Sequence, residues 1–423
     1  MLYADECLRA GPARDDLRPG DRRHFLPVPP ERLSKMPIAL FALSLAAFAI
    51  GTTEFIIAGL LPDLSASFGV SIPTAGLLVT AYAVAVAIGG PVLALLTARL
   101  PRKPMIVGLL AVFTLGQAFC ALAPSYPLLM AARIFVACGH GLFYGIASVA
   151  AADLVPKEKR GAALALFLGG ITVANVLGVP AGTAIGNAFG WRWAFWAIGG
   201  FGLAAALLVA WLLPPGRPQH EEGASIRAEL AELRHQEVYL SFLVIGLYLV
   251  GTIGFSTYQV PVMTRITGIP QVYTPYYLIV GGIGTIVGIY AGGRAADWRL
   301  MPSLISGLIL LALAAVVMFA AMHNPISMVL GIFLMGVFGF TSLSPTQKRI
   351  IEAANAAPNF AATLISTAAN IGIALGAGVG ALWIDHGLGY ESLPAIPVLC
   401  SLLAAGIALL SWSLERRRQL VPT

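Results

Sequence analysis

The order of apolar and polar positions divides the chain into long runs almost free of charge, separated by short polar or Pro/Gly-rich breaks. A helix that crosses a bilayer needs about 20 mostly apolar residues. Runs of that kind fall at 37–60, 74–96, 104–123, 127–151, 161–186, 193–213, 238–261, 275–293, 301–321, 325–345, 359–384 and 394–412. The pattern predicts an all-α membrane protein with twelve spans. The longest internal polar stretch, PPGRPQHEEGASIRAELAELRHQE at 214–237, lies between the sixth and seventh runs. It separates two six-helix bundles, 37–213 and 238–412, with a polar tail at 1–36 and a basic tail at 413–423.

Composition sharpens this. Of the 423 residues 58% are hydrophobic and only 11% charged, against about 45–50% apolar and about 25% charged in a soluble domain, so there is too little charge to cover a water-exposed surface. The 46 Gly and 28 Pro suit membrane helices, where small residues allow close approach and neighbours re-satisfy freed backbone groups. Cys7, Cys120, Cys138 and Cys400 lie far apart and in no metal-ligand spacing; they read as small core residues, and no metal site is expected. The tail at 1–36 carries seven basic residues and no apolar stretch. It is expected to be disordered and not a cleavable signal peptide, and a translation start at Met36 would lose nothing the fold needs.

Cytoplasmic loops retain Lys and Arg. With the N-terminus inside, the cytoplasmic segments hold Arg99/Arg102/Lys103, Lys157/Lys159/Arg160, Arg217/Arg227/Arg234, Arg294/Arg299, Lys348/Arg349 and Arg416/Arg417/Arg418, while the opposite loops hold only Arg192 and Arg265. Both termini are therefore expected in the cytoplasm. The net charge of +6 is accounted for by this orientation, without a nucleic-acid partner.

The two halves look duplicated. GTTEF at 51–55 matches GTIGF at 251–255, Arg99 matches Arg299, and TVAN at 172–175 matches TAAN at 367–370. Duplicated bundles with a site at the midplane between them mark secondary transporters that rock about a central cavity. Gly254 stands where the first half has Glu54, so that carboxyl belongs to one half alone.

Ser44, Ala47, Gly51, Glu54 and Ala58 recur at three- and four-residue spacing and share a small, polar helix face, which points Glu54 into the bundle. Burial disfavours the charged form of a carboxyl, so such a group loads and unloads a proton as its exposure changes. A structural hydrogen bond or a wet position near the surface are the alternatives. Arg133 in span four lies at a similar depth and is the natural partner. Arg133, Ala137, His140, Tyr144 and Ser148 share a face, and His140 could join a proton relay or be a satisfied core residue. Asn175 and Asn370, at matching places in the halves, could bind substrate or join helices; Tyr82, Tyr144 and Gln259 complete the expected cavity set. GVPAGTAIG at 178–186 sets Pro180 among glycines in span five and predicts a bent, closely packed helix. GGIGTIVG at 281–288 reads as helix packing, since no strand precedes it. No GxxxxGK[ST] run, triad or paired carboxylates occur, so no enzyme activity and no cofactor beyond a proton gradient are expected.

From about residue 36 onward the chain resembles the major facilitator superfamily, on GTTEFIIAGLLPDL, RIFVACGHGLFYGIASVAAADLVPKEKRGAALAL and VANVLGVPAGTAIGNAFGWRWAFW, and within it the twelve-span drug:proton antiporters of the arabinose-efflux and chloramphenicol-resistance type. The family's loop motif between spans two and three appears as ALLTARLPRK at 94–103: Arg99, Arg102 and Lys103 match, and Ala94, Ala98 and Pro101 replace the first Gly, the Asp and the second Gly. Its counterpart GGRAADWR keeps Gly293, Arg294 and Asp297. Arg133 and the neighbourhood of Gly141 represent the span-four motif, without its customary glutamine. Gly178, Pro180 and Gly182 match the span-five antiporter motif, whose presence implies export. The resemblance implies a monomeric, proton-coupled exporter of small hydrophobic or drug-like molecules in a bacterial-type inner membrane. A carrier exporting or importing a sugar or nucleoside-like metabolite is the alternative, and a receptor or scaffold the rival from another class.

Overall fold

The computed structural model describes residues 37–97, 100–215, 236–353 and 358–420. Among them twelve helices are long and apolar enough to cross a membrane: Ile38–Phe68, Ile72–Ala94, Arg102–Leu122, Tyr126–Asp153, Lys157–Phe189, Trp191–Leu212, Gln236–Arg265, Gln271–Trp298, Leu300–Ala321, Pro325–Ala353, Ile365–Asp385 and Ala395–Arg416. These are spans one to twelve below. The tail at 1–36, Arg99, and Arg217, Arg227 and Arg234 of the linker lie outside the described residues.

Several spans depart from the apolar pattern for local reasons. Span one passes through Pro62 and Asp63 to Phe68 instead of ending near 60, because proline costs one backbone bond while the rest of the helix stays apolar. It stops at Gly69, whose φ of +64° is a left-handed turn that glycine enters freely. Span five contains a π-helical turn, Ala174–Gly178, just before Pro180. The wider turn absorbs the missing proline N–H, so the expected bend takes the form of a local widening. Span seven breaks into Gln236–Ser256 and Gln259–Arg265, and span ten into Pro325–Thr341 and the polar Leu343–Ala353. The last helix continues to Leu420, so residues 413–420 prolong span twelve.

The packing repeats. In the first half span one packs on five and six, two on four, and three on four and six; in the second half seven packs on eleven and twelve, eight on ten, and nine on ten and twelve. Adding six to each member of the first set gives the second, which is the duplication suggested by the short sequence matches. The halves meet through the symmetric pair of contacts two–eleven and five–eight, and through spans one and seven.

Glycine sets the approach distances. An added Cβ would stand 2.2 Å from the Ser44 carbonyl oxygen at Gly170, 2.1 Å from Thr52 Oγ1 at Gly178 and 2.5 Å from Ile56 at Gly182, so span five lies directly on span one. Gly282 would meet the Val176 backbone at 2.6 Å, bringing span eight onto the π-helical turn. The glycines of GGIGTIVG are thus packing residues. At Gly288 a Cβ would fall 2.1 Å from the Val337 carbonyl oxygen, an atom that cannot rotate away. Gly288→Ala is expected to cost about 1–3 kcal/mol and to lower the melting temperature of the detergent-solubilised protein. Gly108→Ala, where nothing stands within 4 Å, leaves it unchanged.

The same measure explains the asymmetry at Glu54. A Cβ at Gly254 would stand 3.0 Å from Ile396 and 3.2 Å from the Gly376 carbonyl oxygen. Spans eleven and twelve close over that position, so a side chain there would have to push them back by a few tenths of an ångström, whereas the side chain of Glu54 keeps 12% of its surface accessible.

Candidate functional site

The site is assembled around span one. Ser44 donates to the Leu166 carbonyl at 3.0 Å, and Ala47 and Gly51 lie against Gly170 and Ala174 of span five. Glu54, on the same small-residue face, reaches span four, where its Oε2 lies 3.8 Å from His140 Nε2. That separation is beyond a hydrogen bond. Tyr82 of span two stands 2.9 Å from His140 Nδ1. With the phenol O–H donating to Nδ1, the neutral imidazole carries its proton on Nε2, facing Glu54. Tyr144 stacks beside His140 at 5.0 Å and donates to the Ala47 carbonyl at 3.0 Å.

Arg133 is wholly buried. Its Nη1 donates to the Thr53 carbonyl at 2.6 Å and approaches Thr53 Oγ1 at 3.4 Å, and its guanidinium lies 4.2 Å above the Tyr82 ring. The bond to Thr53 places it at the depth of Glu54, as the residue counting predicted. The direct pair with Glu54 is not formed in this structure: Arg133 grips the backbone one residue earlier. Its Nε and Nη2 have no hydrogen-bond partner. Burying a guanidinium costs several kcal/mol, offset by a charge-assisted bond of about 1.5–3 kcal/mol and a desolvated cation–π contact of about 2 kcal/mol. With terms this close, the charge contributes little net stability.

The other expected residues are more dispersed. Asn175 and Asn370 each donate to the carbonyl four residues back in their own helix, Ile171 at 3.3 Å and Ser366 at 3.0 Å, and so do not join helices through these donors; Asn370 Oδ1 is buried without a partner. Gln259 opens the short second piece of span seven, half-buried. None of the three is hydrogen-bonded to the Glu54 cluster. Gly178, Pro180 and Gly182 are buried where span five crosses span one.

At the end that carries the basic loops, Arg102 pairs with Asp153 at 2.6 Å and Arg160 joins the same carboxylate at 3.4 Å. Lys103 lines the adjoining recess of about 400 Å³. The acid missing from the loop motif is thus supplied from the end of span four. In the second half the signs are exchanged, with Asp297 at the end of span eight bound by Lys348 of span ten at 2.8 Å. A Cβ added at Gly293 would stand 4.0 Å from Ser344 Oγ, and Arg294 donates to the Tyr290 hydroxyl at 2.7 Å. Because Asp153 is half exposed, Asp153→Asn is expected to change stability by less than about 1 kcal/mol; a thermal melt checks this.

The opposite end is closed. Gln271 Nε2 donates to Asp63 at 2.9 Å and to Asn187 Oδ1 at 3.1 Å, and Asn187 Nδ2 returns a bond to the Gln271 carbonyl at 2.9 Å. Thr80 of span two donates to the Ala374 carbonyl of span eleven at 3.2 Å. Tyr258 packs so close to span two that a Cβ at Gly76 would stand 2.2 Å from its hydroxyl. Sequence reasoning missed these residues and also Thr53, Gln117 and Asp153. Gln117 carried a visible signal, being the one amide in span three.

Comparison with known proteins agrees with this architecture. Residues 43–377 match the Major Facilitator Superfamily. The inner membrane transport protein YdhP of Escherichia coli K12 is 36% identical over 389 residues, covering 91% of this chain and 97% of that protein. A chloramphenicol resistance protein of Streptomyces lividans is 34% identical, covering 89% and 95%. The crystal structure of a bacterial homologue of the human lysosomal transporter Spinster, inward-facing and unoccupied, superposes with a TM-score of 0.72 at 17% identity, covering 88% of this chain and 96% of that one, a likeness of fold. Twelve spans, duplicated packing and these matches have one conclusion: the chain belongs to the Major Facilitator Superfamily and is a multi-pass membrane transporter, not an enzyme.

Proposed function

We propose that the protein exports small hydrophobic or drug-like molecules in exchange for protons, with Glu54 as the proton carrier. The observation that supports this best is a single carboxyl, in one half only, set in the membrane at the level of a buried arginine and 3.8 Å from a histidine nitrogen. An intramembrane acid is costly and marks a functional site by default. In the cycle we propose, the outward-open carrier admits a proton to Glu54, neutralisation weakens its attraction to Arg133 and releases substrate, and the carrier returns inward before the proton leaves.

The closed contacts at Asp63, Asn187 and Gln271 fit an inward-facing state with both termini in the cytoplasm, and rocking of the halves about the two–eleven and five–eight contacts would open them. The relative named for chloramphenicol resistance supports a drug-like substrate class. The test uses everted membrane vesicles energised by respiration, with chloramphenicol, ethidium and arabinose as probes. Uptake of either drug probe that collapses with the proton gradient is expected; uptake of arabinose alone would replace the drug reading with the sugar reading.

A further inference from the structure

We infer that Gln117 is a positioning residue for Arg133, the buried cation at the level of Glu54, acting through the hydroxyl of Thr53. The inference rests on the proton-carrier reading of Glu54 and adds to it a residue outside spans one and four. Gln117 is wholly buried in span three. Its stem is wedged against span six, where a Cβ at Gly199 would stand 3.2 Å from its own Cβ, so the side chain has one place to go. There Oε1 accepts the Thr53 hydroxyl at 3.2 Å.

A hydroxyl has one proton to give and lone pairs to receive with. Committing the Thr53 proton to Gln117 turns its lone pairs toward Arg133 Nη1, 3.4 Å away, so direction runs from guanidinium to hydroxyl to amide. The same Nη1 holds the Thr53 carbonyl at 2.6 Å. Gln117 therefore orders the residue on which the buried cation sits, and that residue immediately precedes Glu54. A packing role alone would be served by Met or Leu. An amide here leaves its own Nε2 without a partner, a cost that needs another reason.

The titratable groups around Glu54 and Arg133 are Tyr82 of span two, Cys120 of span three, and His140 and Tyr144 of span four. Spans five and six meet span one through glycines, hydroxyls and apolar side chains. None of these groups is altered by changing Gln117.

The test needs no transported substrate. Infrared difference spectra of the purified, full-length protein in nanodiscs follow the carbonyl stretch of the protonated carboxyl, assigned by its loss in Glu54→Gln. Gln117→Met keeps the volume and removes the acceptor; Thr53→Val keeps the shape and removes the hydroxyl. Each is expected to move the titration midpoint by about half a pH unit or more, and the double variant to move it no further than the larger single effect, since both break one chain. Unmoved midpoints in the folded single variants, or shifts that add, would assign Gln117 to packing alone. If Gln117→Met fails to fold, Gln117→Leu, which also removes the acceptor, decides. A carboxyl band that survives in Glu54→Gln would instead remove the proton-carrier reading, and this inference with it.

Discussion

Glu54→Gln is expected to abolish gradient-driven export while leaving the fold intact. The two side chains have nearly the same volume, and the Glu54 carboxyl has no hydrogen-bond partner among the described residues, with His140 Nε2 at 3.8 Å. Stability should therefore change by less than about 1 kcal/mol. The functional effect is of another size. One charge moving inward contributes about 2.3 kcal/mol per 100 mV, equivalent to roughly a 50-fold concentration ratio. A carrier that can no longer load a proton loses that ratio and only equilibrates its substrate. In everted vesicles the accumulation ratio of chloramphenicol, an uncharged probe, falls to about one, while downhill exchange persists. A variant that still accumulates chloramphenicol against its gradient would take Glu54 out of the coupling step.

Arg133→Met is the second large effect, and here stability and function separate. The Thr53 carbonyl that Arg133 holds at 2.6 Å remains within a helix, so no acceptor is orphaned by the change. The bond and the stacking on Tyr82 are offset by the cost of burying the guanidinium, so the melting temperature should move little. Arg133 is the buried positive charge whose attraction to Glu54 the proposed cycle switches with the proton, and without it export is expected to drop more than about 30-fold. Arg133→Lys keeps the charge but not the planar fork that bonds Thr53 and covers the Tyr82 ring at once, and should recover only part. Unaltered flux in Arg133→Met would reduce this residue to a structural one.

How much of this was legible in the sequence differs by level. The twelve spans follow from hydrophobic run length alone, because in hydrocarbon the helix is the one local structure that satisfies its own backbone. The placement of Glu54 inside the bundle followed from three- and four-residue spacing for the same reason. The breaks in spans seven and ten were not legible: Thr257 and Ser342 interrupt helices inside apolar sequence, and tertiary packing decides that, Tyr258 lying against span two of the other half and Ser342 against Gly307 of its own. Nor was the partner of Arg133. Depth along two helices is a one-dimensional quantity, and it gave the right level, but which group at that level meets the guanidinium depends on rotation, which favours the Thr53 carbonyl over the Glu54 carboxylate. Asp153 escaped notice because it lies far in sequence from Arg102, the cation it serves. The motif predicted an acid inside the loop, and the fold supplies one from the end of span four.

The account depends on a carboxyl whose proton occupancy changes with the side to which the cavity opens. The most direct measurement is an infrared titration of Glu54 in two states. In one the protein is free; in the other Asn187→Cys and Gln271→Cys, which replace residues now bonded across the closed end, are joined by a short thiol crosslinker that holds that end shut. The account predicts a carboxyl band, absent from Glu54→Gln, whose midpoint differs by about one pH unit or more between free and crosslinked protein. A Glu54 that stays ionised at every accessible pH in both states, or titrates identically in both, contradicts it.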